Sequence, residues 1–159
     1  GEHIGPRMTL ADDDLRTLIH QSCLCLDDNN WDGYLDLCTE DFTYRITTHS
    51  PELRKDMVWL EQDRAGMAHL FGNLENHVTL NGRFLRHANV ALIERSDEST
   101  AQVTTTFLAV HTDLEGITKL FAAGRYNDVV DLGGNRPLLR NREARLDTRD
   151  LGGGTHFPI

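Results

Sequence analysis

The sequence predicts an α+β domain in which about three N-terminal helices close one face of a curved, mixed or antiparallel sheet into a cone. Three observations predict it. The front half carries helical periodicity, whereas from Arg83 to Asp147 apolar and polar residues alternate. That back half is cut by turn signals at Arg95-Ser96-Asp97-Glu98-Ser99, at Asp113-Leu114-Glu115-Gly116 and at Asp131-Leu132-Gly133-Gly134-Asn135-Arg136-Pro137. Helices followed by strands segregate to opposite sides of one core. Such a cone either holds a ligand or serves as an assembly block.

Taken in order, Asp12-Asp13-Asp14 supplies an N-cap and negative charge where the helix dipole favours it. Leu15, Leu18, Ile19, Ser22 and Leu26 then make one stripe of a helix over about residues 13–26. A shorter helix follows Asp28-Asn29-Asn30, with Trp31, Tyr34, Leu35 and Cys38 at three- and four-residue steps. Alternation of Phe42, Tyr44 and Ile46 with Thr43, Arg45 and Thr47 predicts a first strand, which Ser50-Pro51 ends. A third helix is expected from Lys55 to Phe71, on the spacing of Met57, Leu60, Arg64, Met67, Leu70 and Phe71. Asn81-Gly82 suits a tight turn into a four-stranded meander. Gly1 to Arg7, ahead of Met8, reads as an expression scar. Residues 1–8 are therefore set apart as disordered, and residues 9–159 are expected to form a single domain.

Composition narrows the function. The chain has 159 residues, 39% hydrophobic and 26% charged, which is globular composition with length enough for a core. Lys+Arg number 16 against 25 Asp+Glu, a net charge of −9. So acidic a body repels phosphate backbones, and no nucleic-acid partner is expected. No apolar run reaches the roughly 18 residues of a membrane helix, and no signal-peptide pattern is present. A cytoplasmic protein without membrane contact is the expectation. The odd number of cysteines (Cys23, Cys25, Cys38), without a Cys-x-x-Cys pair, points to free thiols.

Several constellations could carry chemistry. Asp28-x-Asn30-x-Asp32-Gly33 is the first half of a calcium loop, but Thr39 stands where the bidentate glutamate belongs and Glu40 comes one residue late. Helix capping explains that cluster better. The eight histidines are scattered and form no pair at metal-ligand spacing, so no metal or cofactor is expected in this chain. For a catalytic cone, the acid–base candidates are Asp41 and Tyr44 near the first strand, with Tyr126 and Asp128 on a later one. A buried carboxylate beside a tyrosine hydroxyl suits proton abstraction next to a carbonyl, as in an isomerase or dehydratase. For an assembling cone, the candidates are Arg140, Arg142 and Arg145 on the last strand, Arg140 and Arg142 sharing one face. Met57 and Trp59 are the apolar anchors.

With these motifs placed, the stretch from Leu15 to Ile159 resembles the small (β) subunits of Rieske non-haem iron ring-hydroxylating dioxygenases, which have the NTF2-like or SnoaL-like fold. The resemblance rests on Leu26-Asp27 with Trp31, Tyr34 and Leu35, then Glu40-Asp41-Phe42-x-Tyr44, then Asp63-Arg64. It continues through Arg86-His87-x-Asn89-Val90, Gly124-Arg125-Tyr126-x-Asp128 and Arg142 to Leu146-Asp147. Ser50 to Leu60 and the ending Leu146-Asp147-Thr148-Arg149 with His156-Phe157-Pro158 are most similar to methanesulfonate monooxygenase-type hydroxylase small subunits. Pro137-Leu138-Leu139 departs from members with a tryptophan before the last strand. The resemblance implies a structural subunit without an active site. It implies an α3β3 hexamer with a trimer of this chain, and a large α subunit carrying the [2Fe-2S] cluster and mononuclear Fe(II). Electrons would come from NADH through a reductase. This chain has no Cys-x-His…Cys-x-x-His pattern of its own. The competing reading is a stand-alone SnoaL- or ketosteroid-isomerase-like enzyme with its site in the cone.

Overall fold

A computed structural model describes residues 9–76, 82–151 and 158–159. Residues 1–8 and Asn81, on which two of the expectations rest, lie outside the described residues. Three helices and six strands run in the order α1 (Asp12–Asp27), α2 (Trp31–Asp36), β1 (Cys38–Ser50), β2 (Lys55–Asp63), α3 (Arg64–Asn76), β3 (Arg83–Arg95), β4 (Thr100–Thr112), β5 (Thr118–Asp131) and β6 (Leu138–Leu146). The strands form one sheet in the order β2-β1-β6-β5-β4-β3. Every pairing is antiparallel except β1 with β6, so the sheet is mixed.

The aspartate run starts α1, but Ala11 rather than an aspartate is the N-cap residue. Asp14 reaches back and its Oδ2 accepts from the Ala11 N–H at 2.9 Å, satisfying a donor the helix leaves open. Leu15, Leu18, Ile19, Cys23 and Leu26 then face the core. Asn30 caps α2, its Oδ1 accepting from the Gly33 N–H at 3.0 Å, which is the capping role expected of that polar cluster. Tyr34 turns fully inward and Trp31 stacks on Phe71, with centroids 4.7 Å apart.

Residues 55–63 correct the sequence reading. They are a strand paired to β1, with Thr43 opposite Asp63 and Ser50 opposite Lys55, and not the first half of a helix. Met57, Leu60 and Arg64 do sit at helical spacing. Val58 and Trp59 between them favour extended backbone, and the chain returning from Ser50-Pro51 can pair at once with β1. The helix begins only at Arg64, after Asp63, whose Oδ1 accepts from the Gly66 N–H at 2.7 Å as an N-cap.

A second correction concerns β6. Last in sequence, it is interior in the sheet, between β1 and β5. Its register with β5 slips between Val129 opposite Asn141 and Val130 opposite Leu139, leaving Arg140 as an extra, unpaired residue. A bulge of one residue breaks the alternation of faces. Arg140 and Arg142 therefore do not share a face: the Arg140 side chain is 41% exposed and Arg142 is completely buried.

Candidate functional site

The inner face of the sheet carries Tyr44, Arg142 and Asp128 in one row, because Tyr44 pairs with Arg142 and Arg142 with Asp128 across β1, β6 and β5. Tyr126 and Ala144 form the next row, and Gly124, Leu146 and Phe107 the one after. Arg142 Nε donates to Asp128 Oδ1 at 2.9 Å and its Nη2 to Oδ2 at 3.0 Å, with both side chains wholly buried. Its guanidinium carbon lies 4.2 Å from the Tyr126 ring centroid, while Phe107 stacks on that ring at 4.1 Å and 5°. Two groups so close to one ring must occupy opposite faces, so Tyr126 is clamped between a cation and an aromatic.

Desolvation pushes the Asp128 carboxyl up, against the charge and hydrogen bonds of Arg142. Desolvation pulls Arg142 down, yet Asp128 and the neighbouring tyrosines hold the guanidinium well above its ordinary value. The two directions oppose each other within one pair. Geometry decides: both carboxylate oxygens accept from Arg142, which an ionised acid does best, so the pair is ionised. It is a bidentate internal salt bridge in which each carboxylate oxygen accepts one guanidinium N–H.

Of the four acid–base candidates, the structure brings together Tyr44, Tyr126 and Asp128. Asp41 is elsewhere, exposed on β1, where the Thr39 hydroxyl donates to it at 2.6 Å and holds its carboxyl below the ordinary value. Alternation along β1 puts Asp41 out of phase with the inward Phe42, Tyr44 and Ile46. Of the contact candidates, Met57 is 37% exposed on the edge strand β2 and Trp59 half-buried beside it. The Arg145 side chain is 28% exposed and its Nη2 donates to Asp56 at 2.8 Å. Arg142 is withdrawn from any contact surface by the bulge before it.

Sequence reasoning missed a second buried pair. Arg86 on β3 donates from Nη1 to Oδ1 of Asp27, at the end of α1, at 2.6 Å, and its backbone N–H donates to Oδ2 at 3.2 Å. This ties helix to sheet. A signal was present for Arg142, since it keeps the inward phase of Ala144 and Leu146. Asp27 and Arg86 stand 59 positions apart, so the intervening fold sets the partnership and no local pattern announces it.

All three tyrosines, Tyr34, Tyr44 and Tyr126, are fully buried. Burial pushes Tyr44 up to about 12 and lifts Tyr34 and Tyr126 as well. A raised value means that the folded state favours the neutral phenol. Tyr44 thus adds stability below the unfolded value near about 10, which is lost as pH rises through about 12. In an alkaline titration followed at the tyrosinate absorbance band, no phenol should ionise ahead of the loss of the circular-dichroism signal. Early ionisation in a folded protein would contradict this packing. The cysteines are also quiet: Cys23 and Cys38 are buried, Cys25 half-buried, and desolvation pushes Cys38 up to about 12. No group of three or more His, Cys, Asp or Glu among the described residues is arranged to hold a metal ion.

Comparison with known proteins assigns this arrangement. The SnoaL-like domain model matches residues 7–136. The β subunit of 2-aminobenzenesulfonate 2,3-dioxygenase from Alcaligenes sp. is 36% identical over 134 residues, covering 84% of this chain and 89% of that protein. The β subunit of methanesulfonate monooxygenase hydroxylase from Methylosulfonomonas methylovora is 32% identical over 158 residues, 94% of this chain and 87% of that one. Among solved structures, a β subunit assigned to an aromatic-ring-hydroxylating dioxygenase of Novosphingobium aromaticivorans superposes with a TM-score of 0.81 at 20% identity, covering 92% and 95% of the two chains, and so shares the fold. The chain belongs to the SnoaL-like domain family and, within it, to the β subunits of ring-hydroxylating and sulfonate oxygenases.

Proposed function

We propose that this chain works as the structural, non-catalytic half of a cytoplasmic oxygenase, a single domain whose role is assembly. A large α subunit would carry the [2Fe-2S] cluster and mononuclear Fe(II), draw electrons from NADH through a reductase, and join this chain in an α3β3 hexamer. The observation that carries this reading is the commitment of the one wholly buried carboxylate among the acid–base candidates to Arg142. Where a SnoaL-like enzyme needs a free acid or base, Asp128 has both oxygens on Arg142, and Asp41 is outside the cone. The two named relatives above 30% identity belong to enzymes of an arenesulfonate and an alkanesulfonate, so an organosulfonate is the substrate class we propose for the holoenzyme.

Two surfaces suit assembly. Leu85, Val110 and Leu120 align across β3, β4 and β5 on the outer face, next to Leu108, and the three leucines Leu85, Leu108 and Leu120 are 58%, 45% and 64% exposed. Leucines aligned and this exposed mark a contact, here between copies of this chain. On β2, Met57, Val58 and Trp59 line an edge whose backbone is open for a partner. Trp59 also lines a surface groove of about 390 Å³ with His49, Pro51, Met57 and Arg149, and we assign this region, together with the half-exposed Arg140 and Arg145, to the large subunit. Trp59→Ala should reduce recovery of a co-expressed large subunit about tenfold or more, the size of a lost aromatic anchor, while the protein stays folded. Undiminished recovery would remove β2 from the interface.

A further inference from the structure

Pro158 and Ile159 run into the end of the cone marked by the last turn of α1. The Ile159 N–H donates to Tyr44 Oη at 2.8 Å and its carbonyl oxygen accepts from Tyr126 Oη at 2.9 Å. The Pro158 carbonyl oxygen accepts from Arg86 Nη2 at 3.0 Å. Both residues are buried, and the Ile159 side chain is 1% exposed. The groups that receive this dipeptide come from β1, β3 and β5. Arg86 and Tyr126 donate to its two oxygens and Tyr44 accepts its N–H, and neither a turn nor a cap draws polar side chains from three separate strands onto one dipeptide. Such convergence is how a pocket recognises a ligand. Arg86 Nε is buried and finds no partner among the described residues, so the guanidinium has donor capacity beyond what the dipeptide uses.

We propose that this end of the cone is a small-molecule site, held by the chain's own Pro158–Ile159, and that a compact apolar carboxylate can take the same place. Two carboxylate oxygens would replace the carbonyl oxygens of Pro158 and Ile159 on Arg86 Nη2 and Tyr126 Oη. The Tyr44 hydroxyl, relieved of the Ile159 N–H, would turn its proton to the ligand, since a hydroxyl both donates and accepts. An apolar body would fill the volume of the Ile159 side chain. Asp27 already balances the charge of Arg86, so the incoming anion rests on neutral and charge-assisted hydrogen bonds rather than on an unpaired cation. Because buried donors are costly to leave unmet, the site exchanges one occupant for another and does not stand empty. Nothing in this inference depends on the assembly role above.

Benzoate is the probe, and the full chain is the sample. In wild-type protein, millimolar benzoate should shift the Ile159 amide resonance and remove its protection from hydrogen exchange, and benzyl alcohol, which lacks the second oxygen, should not. Ile159→Gly, which loses the apolar anchor of the dipeptide, should bind benzoate about tenfold more tightly or better. Adding Tyr126→Phe should abolish that gain. The site is overturned if benzoate leaves the Ile159 amide protected in wild type, or if a folded Ile159→Gly protein binds benzoate no better than wild type. Should Ile159→Gly fail to fold, the wild-type exchange measurement decides alone.

Discussion

Asp128→Ala is expected to destabilise the protein by about 3–5 kcal/mol, because it leaves the Arg142 guanidinium buried without its counter-charge. Few single changes here should cost as much. Asp128 and Arg142 are both wholly buried, and both oxygens and two of the guanidinium nitrogens are committed to each other. Against a total stability of roughly 5–15 kcal/mol, the loss brings the protein to the edge of unfolding. Removing both charges together, as Asp128→Leu with Arg142→Met, should restore most of it, since an apolar pair of similar size carries no desolvation cost. Urea denaturation of the single and double variants measures the coupling directly. A single-variant loss below about 1 kcal/mol, typical of a surface pair, would contradict the buried assignment. The same geometry predicts that Arg142→Glu would unfold the protein. The substitution places two carboxylates face to face in the core, so it reports on folding and not on the contact surface that the spacing of Arg140 and Arg142 suggests.

Gly124→Val should be the next most damaging change. A Cβ at Gly124 would stand 2.2 Å from the Arg145 carbonyl oxygen and 3.0 Å from the Leu146 Cα. Both obstacles are backbone of the neighbouring strand and cannot rotate away. The strand pair must separate locally, next to Tyr126 and Phe107, whose stacking depends on that spacing. Overpacking of this kind costs roughly 1–3 kcal/mol in an ordinary core, and here the upper end or more is expected. Thermal unfolding monitored by circular dichroism checks it, and an unchanged midpoint would show that β5 and β6 are not this close.

Much of this architecture was legible in the chain. Alternation from Arg83 to Asp147 reports strands whatever their neighbours, and the stripe from Leu15 to Leu26 reports a helix because both periods are local. What a strand pairs with is not local. Residues 55–63 satisfy helical spacing by coincidence and become a strand because β1 offers an edge, a tertiary effect that overrides periodicity. The unpaired Arg140 likewise depends on the register of two strands, so its reversal of faces could not be read from Arg140-x-Arg142 alone. At the candidate site, Tyr126 and Asp128, two residues apart on one strand, were recognisable as sharing a face, but which face was not. That Asp128 serves Arg142, and that the Tyr44 and Tyr126 hydroxyls serve Ile159, required the third dimension. Asp41 was attached to the site by sequence proximity to Tyr44, although its phase on β1 already turns it outward.

The most direct test of the structural-subunit role is the mass, by light scattering, of the wild-type chain co-expressed with the large subunit of its own oxygenase. A single complex with three copies of each chain is expected, with oxygenase turnover only in the complex and none in the isolated chain. The contrary result is a chain that stays monomeric at high concentration, ignores the large subunit, and by itself isomerises or dehydrates a carbonyl compound. That outcome would return the cone interior to catalysis.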